Sequence, residues 1–233
     1  MSDARAARRR DLIDEAFRAF VGGSDYPCLA GKGVVHERAY GLGIYGTLGS
    51  ARATAALARD LAAFVAVPRT ERAGFTAFVA VFTGRRFASE RSFESRLWEQ
   101  LQLLHERDNP AAGWDPGTSS DPEDPRFSFS FGGSALYVIG MHPRSSRVAR
   151  RFRWSTLVFN PHAQFEQLRA QGQFERLRAA IRERELALQG SLNPSLADFG
   201  ERSEARQYSG RHAEEAWRCP FHATHAAGDA RTE

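Results

Sequence analysis

The sequence predicts an α+β fold: a single domain in which a mostly antiparallel sheet is packed by several helices. Three observations carry this. At 233 residues the chain can bury roughly 70% of its unfolded surface in one core. Segments with apolar residues at helical spacing are interspersed with short aromatic and β-branched runs. The two kinds of segment do not alternate strictly, as the βαβ units of a parallel sheet would require.

Leu12, Ile13, Ala16, Phe17 and Phe20 recur at helical spacing, and Gly22-Gly23 stops that helix, so residues 1–24 read as an N-terminal helical unit. From Tyr26 to Gly46 glycines are too frequent for a helix interior, which predicts loop or irregular strand. Gly41, Gly43 and Gly46 spell G-x-G-x-x-G, with Asp60 near the place of the acidic partner. A dinucleotide site also needs a buried parallel strand beforehand, and residues 34–38 make a poor one.

A helix is expected over 50–64, with Leu57, Leu61 and Phe64 on one face and Pro68 just beyond its end. Residues 75–82 have the composition of a central strand. Ser92 is then expected to cap a helix whose inner face is Phe93, Leu97, Leu101 and Leu104, with His105 near the end, where an imidazolium would suit the helix dipole. Four prolines between 108 and 126 indicate an ordered, extended loop.

Strand-like runs at 127–141 and 154–159 follow, separated by a short helix capped by Ser145 or Ser146. Asn160 is expected to cap the next helix, with Pro161 at its first position. The last long helix spans 174–189, with Leu177, Ile181 and Leu188 inside, the Arg and Glu ladder of 176–185 in solvent, and Gly190 at its end. Residues 193–208 close over the domain, and 222–233 form a frayed tail.

Composition narrows the functional classes. The net charge of +4 comes from arginine, with Lys32 the only lysine, and the arginines are interleaved with acids rather than massed in a stripe, which argues against nucleic-acid binding. No run approaches the ~20 apolar residues of a membrane span and no leader follows the first Met, so a cytoplasmic protein is expected. Cys28 and Cys219 lie almost a chain apart and read as free thiols. No G-x-S-x-G elbow is present, and Pro27-Cys28-Leu29 shows no helix start that would activate Cys28 as a nucleophile.

Two histidines end apolar strand-like runs, where a core opens to a cleft. His142 stands between Met141 and Pro143 at the close of the first run. His162 falls in the first turn of the helix expected after the second, where the dipole favours a neutral imidazole able to bind metal. Each could equally be a core or capping histidine. Cys219-x-x-His222-x-x-His225 supplies three of the four ligands of a zinc site, without a second cysteine pair to close it. Asp115, Asp121, Glu123 and Asp124 crowd the acidic loop before His142, where two carboxylates could hold a cationic substrate.

Several strings taken together resemble one family: Tyr26-Pro-Cys28, Phe78-Val-Ala-Val-Phe82, Ser120-Asp-Pro122, Phe129-Ser-Phe-Gly-Gly133, Gly140-Met-His-Pro143, Asn160-Pro-His162, Asn193-Pro194, Ser203-Glu-Ala-Arg-Gln-Tyr208 and Cys219-Pro-Phe221. Over residues 25–221 the chain resembles the YqcI/YcgG family, whose characterised members are haem-dependent N-hydroxylases of guanidino amino acids. The resemblance implies a b-type haem, dioxygen as co-substrate, an electron-donor protein or reductant, and arginine or a relative as substrate. It also implies roles: His142 as proximal haem ligand, His162 second and Cys219 third in order; Asp121 and Glu204 on the guanidinium; Arg206 on a substrate carboxylate or haem propionate. A homodimer is compatible with it. Two other classes remain open, a haem-binding or sensing protein without catalysis and a metal-free binding module in which both histidines are satisfied core residues.

Overall fold

A computed structural model describes residues 2–67 and 74–224. Pro68 and His225 lie outside them, as do most residues of the expected tail. In chain order the elements are α1 (Ser2–Gly22), α2 (Leu29–His36), β1 (Tyr40–Tyr45), α3 (Ala51–Val65), β2 (Ala77–Phe82), α4 (Glu90–His105), β3 (Ser130–Phe131), β4 (Ser134–Met141), β5 (Ser155–Pro161), α5 (Ala163–Ala170), α6 (Phe174–Gln189) and α7 (Ala205–Tyr208).

Among the described residues the strands form one five-stranded sheet in the order β1-β2-β5-β4-β3. β1 and β2 run parallel, and the other pairings are antiparallel. The fold is α+β with a mixed sheet. The parallel pair arises because β1, α3 and β2 form a single βαβ unit.

β2 is central, and its six residues are all buried because both faces of the sheet are covered. On one face Phe78, Ala80, Phe82, Val138, Leu157 and Phe159 pack against α3, α4 and α7, and the stripe Phe93, Leu97, Leu101 and Leu104 is fully enclosed there. On the other, Val79, Val81, Met141 and Val158 meet α1 and α2 through Ile13, Phe17, Val21, Val34 and Val35. The N-terminal helix is therefore part of the same body.

Several local expectations are corrected. The glycine-rich stretch after Pro27 is helical: Cys28 takes the N-cap of α2, and its Sγ accepts the Gly31 N–H at 3.3 Å. Gly41 and Gly43 lie within β1 rather than in a phosphate-binding turn. A Cβ on Gly41 would stand 2.8 Å from the Phe78 ring and one on Gly43 would collide with Tyr45, so close aromatic packing explains both glycines. Asp60 sits on α3 and accepts the Tyr45 hydroxyl at 2.9 Å.

Ser89, not Ser92, caps α4; Ser92 closes the capping box from the third position. The run 127–141 is broken by Gly132 and Gly133, both at positive φ, into the β3–β4 hairpin. Asn160 and Pro161 end β5 instead of starting a helix, and the N-cap position of α5 falls to His162.

Candidate functional site

A cavity of about 300 Å³ lies between the sheet and the helices α1, α2, α5 and α6. Its sheet side is Val79, Ile139, Met141 and Val158, and its helical walls include Phe17, Val21, Val34, Leu177 and Ile181. α6 covers it without a single buried residue, because the stripe of Leu177 and Ile181 faces the hollow rather than a packed core.

Polar groups reach the same cavity from four directions. Cys28 and Tyr26 enter at the start of α2, Tyr137 and Arg150 at the β4 side, His162 at the start of α5, and Glu204 and Gln207 from α7. His162 is buried, its ring packs against Phe199 at 4.4 Å between centroids, and burial lowers its pKa, so the imidazole is neutral at pH 7. Its neighbour Glu166 is 3.9 Å from Nδ1, beyond hydrogen-bonding reach.

Glu204 accepts the Ser128 hydroxyl at 2.7 Å and the Tyr208 hydroxyl at 2.6 Å. Burial outweighs those bonds and pushes its carboxyl up to about 8, so it is protonated at neutral pH. Burial likewise raises the Cys28 thiol, although the Gly31 and Ala30 N–H groups and Arg150 favour its thiolate. The helix start that the sequence hides is present, yet it does not make this thiol acidic.

At the mouth stand Arg169, Arg178, Arg182, Glu185 and Asp198, all partly exposed. Asp198 pairs with both Arg178 and Arg182, and Glu185 holds Arg147 at 2.7 Å. These residues of α6 belong to the cavity rather than to an outer, solvated ladder. The signal was in the spacing: Leu177, Arg178, Ile181, Arg182 and Glu185 share one helix face.

Of the residues singled out from sequence, the cavity brings together His162 and Glu204. His142 stands on the opposite face of the sheet, its ring stacked on Phe93 at 4.3 Å. Its Nδ1 accepts the Arg144 N–H at 3.2 Å, while Nε2 is buried without a hydrogen-bond partner, and burial lowers its pKa to about 4. Arg206 clamps the carbonyls of Trp217 and Glu214 and lies over the Trp217 ring. It does not line the cavity.

Asp121 is exposed, and its carboxylate caps the Glu123 N–H of its own loop; Asp115 and Asp124 are used in the same way. Cys219 is buried in the aromatic core, its thiol pushed up by burial, and its N–H donates to Glu123. His105 accepts the Thr224 N–H at Nε2, 2.9 Å away, so that nitrogen carries no proton. Among the described residues no three His, Cys, Asp or Glu side chains converge as a metal site, and both cysteines are free. No described helix is long and apolar enough to cross a membrane.

Comparison with protein families gives a match over residues 17–222 to the model described as the YqcI/YcgG family. No curated protein and no solved structure matches the chain.

Proposed function

Because the chain belongs to the YqcI/YcgG family, we propose that it is a haem-dependent oxygenase that hydroxylates a nitrogen of a guanidino compound such as arginine. One observation carries this reading: a single apolar cavity gathers a neutral imidazole, a buried carboxyl and several arginines. That donor set would suit haem: the neutral His162 would hold its iron and the arginines its two carboxylates. Ligand cavities span roughly 300–1,000 Å³, and a macrocycle belongs toward the upper end of that range. At about 300 Å³ the cavity is at the lower end, and α6, with no buried residue, is the wall a macrocycle would have to displace.

Bound haem would supply the activation of dioxygen, with electrons from a donor protein or small reductant. His162 is the ligand this cavity favours, and Cys28 is the second donor facing it. Arg178 and Arg182, both paired with Asp198, would exchange it for a propionate or a substrate carboxylate. Glu204 holds the guanidinium: it is neutral alone and ionises opposite a cation, releasing its proton to solvent. The apolar walls exclude water from the reacting nitrogen. Free thiols support a cytoplasmic setting.

The test is oxygen consumption by haem-loaded protein with a reductant, with and without arginine and related guanidino compounds, alongside mass detection of an N-hydroxylated product. Substrate-dependent uptake that Glu204→Gln reduces supports the proposal. Haem binding without any such uptake would leave a non-catalytic haem protein in its place.

A further inference from the structure

We propose that Trp217, Trp98, Tyr208 and Glu204 form a one-electron relay between the protein surface and the cavity, with Tyr208 as the resting site of the radical and Glu204 as the acceptor of its proton. Half-buried Trp217 lies 6.2 Å from Trp98 between ring centroids. Trp98 stacks on Tyr208 at 5.6 Å with 20° between the planes. Tyr208 meets the edge of Tyr137 at 5.8 Å, and Tyr137 lines the cavity. Electron tunnelling decays exponentially with distance, and each of these steps is a contact between neighbouring rings.

Two details suit electron transfer better than packing alone. The Trp98 indole N–H is buried without an acceptor, which is costly for a purely structural residue. When oxidised it keeps its proton and remains a cation radical strong enough to oxidise a tyrosine. The Tyr208 hydroxyl donates to Glu204 at 2.6 Å and accepts the Phe129 N–H at 3.0 Å, so its proton has a defined exit whenever that carboxyl is ionised.

In the step itself, oxidised Trp98 takes one electron from Tyr208. The phenol O–H breaks, its proton passes to Glu204, and a neutral phenoxyl and a closed-shell indole remain. In the oxygenase, the path would carry electrons from a surface reductant at Trp217 through Trp98 and Tyr208 to the cavity wall at Tyr137. That use rests on the proposed function; the path does not. Glu204 accepts the proton as the carboxylate, so transfer quickens as pH rises through about 8. The groups facing it are Arg169, Tyr137, Tyr208 and Ser128.

The path is tested on the haem-free full chain by pulse radiolysis with azide radical, which oxidises indoles. The tryptophanyl absorbance should decay into that of a tyrosyl radical at a rate independent of protein concentration, and the conversion should be lost in Trp98→Phe and Tyr208→Phe. Conversion at the wild-type rate in either folded variant, or none in the wild type, overturns the relay. Should a variant fail to fold, Glu204→Gln decides: it must slow the conversion and abolish its rise with pH, and an unchanged profile overturns the relay. Failure to bind haem would sink the proposed function and leave these results standing.

Discussion

Glu204→Gln should make the protein more stable than wild type in alkali and remove a specific pH dependence. The folded protein keeps a proton on Glu204 up to about 8, whereas the unfolded chain releases it near 4.5. Between those values the folded state binds more protons, so wild-type stability falls as pH rises and levels off above about 8. Each pH unit of that window is worth about 1.4 kcal/mol, which sets a ceiling on the order of 4–5 kcal/mol. Glutamine keeps an oxygen for the Ser128 and Tyr208 hydroxyls and never ionises. Urea denaturation at about pH 5 and about pH 9 should therefore show the wild type losing several kcal/mol relative to the variant. Parallel stability profiles for the two proteins would refute the burial of a neutral carboxyl at this wall.

The opposite sign holds at His142. Its folded pKa of about 4 lies below the ordinary 6.5, so its contribution is complete above 6.5 and is lost as pH falls toward 4; in His142→Phe the acid limb of the stability curve should flatten. Gly140→Ala should destabilise by about 1–3 kcal/mol, because its Cβ would stand 2.8 Å from Leu97, Phe93 and the Tyr208 carbonyl, and thermal unfolding reads this directly. Arg147→Ala leaves Glu185 without its guanidinium and should cost about 3 kcal/mol, with hydrogen exchange rising first at the C-terminal end of α6.

How much of this was legible in the sequence depends on period. The limits of α6, the inner stripe of α4 and the burial of β2 follow from spacing and from Gly190, which takes φ 77° at the end of α6. The helix at Leu29–His36 was hidden because Gly31 and Gly33 lower its propensity, and packing of Val34 and Val35 against α1 overrides that. The histidines show the same limit at the site. A strand ending in His announces a cleft but not which face it opens on, and a one-residue step past the end of β4 puts Met141 on the cavity side and His142 against Phe93. Cys28 reaches the site only through tertiary packing, whereas the α6 arginines share the face of Leu177 and Ile181 and were legible from that spacing.

Titration of the purified protein with haemin, followed by absorption spectroscopy, is the most direct test of the cavity as a haem site. Stoichiometric binding with a Soret band is expected in the wild type and in His142→Ala, and loss or a shift of that band in His162→Ala. A band that survives unchanged in His162→Ala and disappears in a folded His142→Ala, or no band in any of them, would contradict the assignment of haem to this cavity.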